Sequence, residues 1–157
     1  MVWGCFCASG VGRLKIFDKN VNAEEHIDTL EHYYKPSLKD FDIPTEQCIL
    51  VEDKAPAHNS KKAKNYRAGA DIQILEWPGN SPDLNPIENI WSILKTMVAL
   101  RIKPGAIITV DELWKIVQDE WYLLGKYHTE DLLKPLARSM KNRIAKVLAV
   151  NGESIDY

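Results

Sequence analysis

The sequence predicts an α/β fold: a mixed core of strands and helices, covered at its C-terminal end by helices alone. Three observations carry that prediction. Up to about residue 103, short strand-like runs alternate with segments of helical periodicity. Pro104-Gly105 then breaks the chain, and beyond it every periodic segment is helical. The 157 residues suffice for one domain with a sizeable core. The expected organisation is therefore a single domain over 1–157, with 1–103 forming the α/β core and 104–157 the helical part.

Taken in order, Val2 to Ser9 has the β-branched, aromatic and small residues of a strand. Gly10-Val11-Gly12 supplies a turn, and Arg13 to Phe17 alternates as a second strand, giving a hairpin. Asn22 is a cap for a helix from Ala23 with Ile27, Leu30, Tyr34 and Leu38 at helical spacing, and Pro36 predicts a kink or break in it. Cys48-Ile49-Leu50-Val51 is a continuous apolar run, as in a parallel strand buried on both faces, and it ends in Glu52-Asp53. Pro56 to Ser60 reads as a loop. Ser60 or Asn59 then caps a short helix carrying Lys61, Lys62, Lys64 and Arg67, which Gly69 stops. Ile72 to Leu75 is the next strand. In the stretch that follows, Asn85 is an N-cap, Pro86 suits the first helical position and Glu88 falls at the third. Ile87, Ile90, Trp91, Leu94 and Val98 give this helix one apolar face. Thr109 and Glu112 form a capping-box pattern opening a helix that ends near Gly125. A last helical region runs from Thr129 to about Val150, interrupted or restarted at Pro135, with Arg138, Lys141, Arg143 and Lys146 on its polar face.

Composition excludes several classes. An apolar fraction of 45% and a charged fraction of 27% are ordinary for a globular protein, and no apolar run is long enough to span a membrane. Cys5, Cys7 and Cys48 lack the spacing of a metal knuckle and read as small apolar fillers. A net charge of −2 provides no global attraction to nucleic acid, so such binding must rest on local basic patches and on metal ions.

Asp53 and Glu88 are the candidate chemical pair. One ends a strand, where open α/β sheets place their ligands, and the other opens the helix after the next strand. Converging carboxylates bind Mg²⁺ or Mn²⁺ through oxygen, and two such ions can activate a water or a 3′-hydroxyl in phosphodiester cleavage. The bland alternatives are that Glu88 completes its helix cap and Asp53 caps a turn; spacing alone does not decide between them. His58, five residues after Asp53, can touch a phosphate, shape the metal loop or serve as an ordinary turn residue. Lys61, Lys62, Lys64 and Arg67 are either phosphate contacts or a solvated helix face. Trp77 and Trp91 can stack on a base but sit beside apolar neighbours that favour a core role.

These residues resemble a known family. Trp77-Pro78, then Ser81-Pro82-Asp83-Leu84-Asn85-Pro86-Ile87-Glu88-Asn89, with Trp91 and Leu94-Lys95, is similar to the signature of the Tc/mariner-superfamily DDE transposases. Asp53 with Pro56 and His58 resembles the motif around that family's second aspartate, and 88 − 53 − 1 = 34 residues separate Asp53 from Glu88, the spacing of one large branch. Val2 to Phe6, Gly10-Val11-Gly12 and Asn22-Ala23-Glu24 resemble its hairpin and following helix; Ser139-Met140, Arg143-Ile144 and Gly152 to Tyr157 resemble its C-terminus. The resemblance covers nearly the whole chain.

It implies an RNase H-like fold and metal-dependent cleavage and joining of DNA at transposon ends. Asp53 and Glu88 would be the second and third catalytic carboxylates, holding Mg²⁺ or Mn²⁺. Partners would be transposon-end DNA and a second copy or a full-length transposase, and residence would be nuclear. Lys54 departs from the family's usual Asn and adds a cation beside the metal loop. The family's first aspartate and its helix-turn-helix region precede the hairpin at which this sequence begins. The expectation is thus a C-terminal piece of a catalytic domain, with Met1 an internal methionine of a longer ancestral frame, and catalytically inactive alone. The alternative is a non-catalytic remnant that binds nucleic acid or dimerises. In this fold the first strand is central, so the hairpin and the Cys48–Val51 strand are expected to belong to separate sheet fragments or to pair poorly across the gap.

Overall fold

The computed structural model describes residues 1–76, 78–79 and 81–155; the expectation placed on Trp77 lies outside them. In chain order the elements are β1 (Val2–Trp3), β2 (Phe6–Cys7), β3 (Gly10–Val11), β4 (Lys15–Ile16), α1 (Ala23–Thr29), α2 (Lys35–Asp40), β5 (Ile49–Leu50), α3 (Pro56–Asn59), α4 (Lys61–Gly69), β6 (Gln73–Ile74), α5 (Ile87–Arg101), α6 (Val110–Tyr127), α7 (Lys134–Arg138) and α8 (Met140–Ala149). They fall into two compact units, Met1–Cys5 with Gly12–Asn85, and Phe6–Val11 with Pro86–Tyr157. Among the described residues no helix is long and apolar enough to cross a membrane.

In the first unit β1 pairs antiparallel with β4, Val2 opposite Ile16, and β5 pairs parallel with β6, Ile49 opposite Gln73. Among the described residues these two pairs share no strand, as expected for two sheet fragments. The N–H of Gly12 donates to the Cys5 carbonyl at 2.7 Å, so one residue on the first strand (Gly4) faces two on the second (Arg13 and Leu14) between this bond and the Trp3–Lys15 pair. The Arg13 N–H freed by that bulge donates to Ser37 Oγ at 2.8 Å. Gly12 is required there: a Cβ would lie 2.4 Å from Cys5 Sγ and 2.7 Å from Ser37 Oγ.

Asn22 caps α1 as predicted, accepting from the Glu25 N–H at 2.9 Å. Pro36 does not break the helix. A wide turn over Leu30–Tyr34, closed by the Lys35 N–H on the Leu30 carbonyl, leads into α2, with the proline in its first turn. Leu30, Tyr34, Leu38 and Ile72 form the core of the unit, with Trp3, Cys48, Leu50 and Tyr66 packed on it. Lys15 points into the unit, its ammonium 2.6 Å from Asp28 and 3.3 Å from Glu25, which ties β4 to α1.

Two expectations here need correction. The run Cys48–Val51 is not buried on both faces: Ile49 is 57% exposed, because β5 has a single partner strand among the described residues. Pro56 to Ser60 is not a loop but largely α3, closed by the Asn59 N–H on the Ala55 carbonyl. Gly69 is the last residue of α4, where the sequence expected the helix to stop. The left-handed residue is Asp71, at φ 54°, and the Ile72 N–H reaches back to the Arg67 carbonyl.

In the second unit β2 and β3 form a hairpin closed by Cys7 opposite Gly10, so the tight turn is Ala8-Ser9 rather than Gly10-Val11-Gly12. α5 begins at Ile87 with Pro86, already at helical angles, in the cap position, so the start falls one residue later than the Asn85 cap expected from the sequence and Glu88 is at the second helical position rather than the third. Ile90, Leu94 and Val98 are its buried face. The Thr109–Glu112 capping box opens α6. This helix runs through Gly125, whose missing side chain admits Val11: a Cβ would lie 2.6 Å from Val11 Cγ2. A second wide turn, Thr129–Leu133, precedes Lys134-Pro135 at the start of α7.

Replacing Gly12 by Ala should lower the unfolding free energy by about 1–3 kcal/mol, the usual cost of overpacking. Gly69→Ala, in open space on a helix, should raise it by up to about 1 kcal/mol. Denaturant midpoints of the two variants test both signs.

Candidate functional site

β5 delivers Glu52 and Asp53 to the start of a tightly turned loop. Asp53 Oδ1 accepts the Ala55 N–H at 3.0 Å, an Asx turn that leads into Pro56 at the head of α3. One turn on, His58 comes back toward the aspartate: its Nδ1 is 2.7 Å from Asp53 Oδ1 and 3.2 Å from the Asp53 carbonyl. Asn59 Nδ2 donates to the Lys54 carbonyl at 3.0 Å and closes the loop. The Asp53 side chain is 66% exposed, and its Oδ2 has no partner among the described residues. Lys54 is also exposed, leaving its ammonium free to turn toward solvent.

Behind this loop lies a buried cluster. The Glu52 side chain is largely buried, and its Oε1 accepts Arg67 Nη1 at 2.7 Å. The same Nη1 donates to the His58 carbonyl at 2.9 Å, so one guanidinium holds both ends of the loop. The other oxygen of Glu52 lies 3.4 Å from Nε2 of His26 on α1. That separation falls within ion-pair range but lacks hydrogen-bond geometry, and His26 Nε2 has no hydrogen-bond partner. The His26 and His58 rings lie 4.2 Å apart. Burial, followed by the charges of His58 and Arg67, pushes His26 down from 6.5 to about 3, so its ring is neutral at pH 7. Burial pushes Glu52 upward, opposed by His58 and Arg67. We favour an ionised Glu52, since the guanidinium sits at charge-assisted hydrogen-bond distance.

The structure brings Asp53 and His58 together. Arg67, expected on a phosphate-facing surface, is buried instead and serves Glu52. Lys62 pairs with Glu24 of α1, whereas Lys61 and Lys64 are exposed and make no ion pair with a described residue. His26, Glu52 and Arg67 were not legible as a cluster. The available signal was that His26 precedes Leu30 and Tyr34 by four and eight residues, on their face of the helix.

Glu88 lies in the second unit, on the exposed side of the first turn of α5, and its carboxylate has no partner among the described residues. Its neighbour Asn89 is held from behind. Arg143 Nη2 donates to Asn89 Oδ1 at 2.6 Å, and Arg143 Nε to Ser139 Oγ at 2.8 Å. Arg143 is only 1% exposed, so it is not part of a solvated basic face but a strut between α8 and the start of α5. Trp91 stacks on Trp121 with ring centroids 5.1 Å apart, which commits it to the core rather than to a base. Asp53 and Glu88 are thus exposed carboxylates at rigid element ends, donors of the hard oxygen type that Mg²⁺ and Mn²⁺ take.

Comparison with known proteins gives consistent matches. The family model described as DDE superfamily endonuclease matches residues 1–113. The transposase of the transposable element Tc3 from Caenorhabditis elegans is 32% identical over the whole chain, which covers 45% of that protein. The chain thus spans about half the length of the curated relatives it matches. Among solved structures, the Mos1 transposase catalytic domain with Raltegravir and Mn superposes at a TM-score of 0.83, with 17% identity, covering 99% of this chain and 76% of that one. The Mos1 transposase paired-end complex with left transposon end gives 0.76 at 15% identity, covering 99% and 44%. The fold is therefore the RNase H-like one of that catalytic domain.

Two outcomes are expected of the buried cluster. Arg67→Met should cost about 3–5 kcal/mol, the scale of breaking a buried pair and leaving one charge uncompensated. Adding Glu52→Gln in that background should recover part of the loss, as read in chemical denaturation. For His26 the sign follows from a folded-state pKa below the unfolded one. Between pH 6.5 and about 3 the unfolded chain binds the extra proton. This contribution to stability is therefore complete above pH 6.5 and drains away as pH falls toward 3. The corresponding slope in unfolding free energy, measured in buffer free of divalent ions, should flatten in His26→Leu.

Proposed function

The chain belongs to the DDE superfamily endonucleases, and we propose that it is transposase catalytic-domain sequence whose chemistry is metal-dependent cleavage and joining of DNA strands at transposon ends. In this reading Asp53 and Glu88 are the second and third catalytic carboxylates, and each offers oxygen to Mg²⁺ or Mn²⁺. The single observation that carries it is the construction around Asp53. The aspartate is exposed for a ligand, while an Asx turn and His58 fix its position, on a chain matched to this family over residues 1–113. Hard oxygen donors at both positions fit such an ion, and a Mos1 structure solved with Mn supports the choice.

When bound, divalent ions would activate the attacking water or 3′-hydroxyl and neutralise charge on the scissile phosphate. The residues of this chain contribute placement. Asp53 is held by the Ala55 N–H and His58, and Glu88 is set on a helix whose first turn is braced through Asn89 by Arg143. Lys61 and Lys64 are free to meet phosphates, and Lys62 can join them by releasing Glu24. The partners are transposon-end DNA and a second copy or a full-length transposase, and such a substrate puts the protein in the nucleus.

Residues 1–157 supply two of the three carboxylates this chemistry uses, so the purified chain should bind Mn²⁺ without nicking DNA. Mn²⁺ binding followed by electron paramagnetic resonance should weaken by more than tenfold in Asp53→Ala and in Glu88→Ala, exceeding the effect of losing an outer-shell partner. Binding indifferent to both substitutions would sink the assignment. Nicking of transposon-end DNA that vanishes in both variants would uphold the site and overturn the inactivity.

A further inference from the structure

We propose that His26, Glu52 and His58 form a second cation site beside Asp53, one suited to a transition-metal dication of the Zn²⁺ class rather than to Mg²⁺. The three residues each offer a ligand atom, and these atoms lie within 4.8 Å of one another. His26 is 1% exposed, and its Nε2 points at the Glu52 carboxylate without a hydrogen bond to any described group. A buried polar nitrogen left in that state carries a cost that an ion would remove. A tetrahedral Zn²⁺ about 2.0–2.1 Å from each nitrogen spaces its ligands roughly 3.3 Å apart. The 3.4 Å between His26 Nε2 and Glu52 Oε2 already meets that spacing.

The donor set decides the metal. Two imidazoles and one carboxylate suit Zn²⁺, Co²⁺ or Ni²⁺, whereas an all-oxygen set suits Mg²⁺ and Mn²⁺. Three protein ligands leave a fourth position for water. The partly exposed side chains of His58 and Glu52 give the ion a way in.

The surrounding groups form the outer shell such a site requires. His58 Nδ1 is occupied by Asp53 Oδ1 at 2.7 Å, which leaves Nε2 for the ion and makes a carboxylate–histidine–metal chain. Arg67 holds the second oxygen of Glu52. Occupancy would lock His58 with its proton on Nδ1, so that it always donates to Asp53. It would also tie α1 to the loop after β5. Ion binding here is independent of any DNA chemistry at Asp53, so failure of one leaves the other standing.

The test is Zn²⁺ titration of the purified chain against a chromophoric chelator, with Co²⁺ as the spectroscopic substitute. One ion per chain is expected, undisturbed by excess Mg²⁺. The Co²⁺ complex should show tetrahedral ligand-field bands without thiolate charge transfer. His58→Ala and Glu52→Gln should each weaken binding at least tenfold with far-UV circular dichroism unchanged; Asp53→Asn, an outer-shell change, should weaken it by about tenfold. If His58→Ala fails to fold, Zn²⁺ protection of His58 from diethyl pyrocarbonate, read by mass spectrometry on the unsubstituted chain, replaces it. Absence of stoichiometric binding, thiolate bands from Cys5, Cys7 or Cys48, equal affinity in the folded variants, displacement by Mg²⁺ or unprotected His58 would each overturn the site.

Discussion

The first unit depends on one guanidinium. Arg67 reaches from α4 to the Glu52 carboxylate and to the His58 carbonyl, so it fixes both the end of β5 and the far end of the loop that follows. Asp53 sits between those two anchors. Its exposure would ordinarily mean freedom, since a solvated carboxylate on a loop samples several rotamers at little cost. Here the backbone on either side is held, and two donors converge on one of its oxygens. An acid that must meet an ion and a phosphate in one geometry gains from such prior fixation, because the ordering entropy is spent in folding rather than in binding.

The second unit solves the same problem by other means. Glu88 lies on a helix rather than in a loop, and the helix start is braced through its neighbour. Arg143 spends its guanidinium on Asn89 and Ser139 deep in the unit, an expensive placement for a charge unless every donor finds an acceptor. In both units, then, a buried arginine lies behind an exposed acid. Neither arginine is placed to touch a ligand directly.

What the sequence revealed was what is local. Asn22, Ser60 and the Thr109–Glu112 box cap the helices they were expected to cap, because a cap is decided by the residue and the N–H groups within three positions of it. Asp53, Glu88 and His58 stood out through motif and spacing. The failures share a cause. Arg67 and Arg143 look like members of solvated basic faces until a partner distant in sequence is seen, and nothing in a helical period says which cation of a row turns inward. Ile49 was expected to be covered because an apolar run does not report how many strands flank it. Gly69 ends α4 and Gly125 lies two residues before the end of α6, close to where those helices were expected to stop, but no helical period reveals that Gly125 also makes room for Val11. His26 was passed over because it offered no motif, only its place on the face of Leu30 and Tyr34.

The two wide turns have a geometric consequence. Each accommodates a Lys-Pro pair, and each adds one residue to a turn. In an unbroken α-helix, eight residues from Leu30 to Leu38 would advance the phase by about 80° past two full circles. Subtracting the surplus residue, worth about 100°, leaves them within roughly 20° of each other. Leu30, Tyr34 and Leu38 are all buried although they recur every four residues. The proline and the spacing are therefore met by one device: the same wide turn that makes room for the ring keeps the apolar stripe downstream of it in phase.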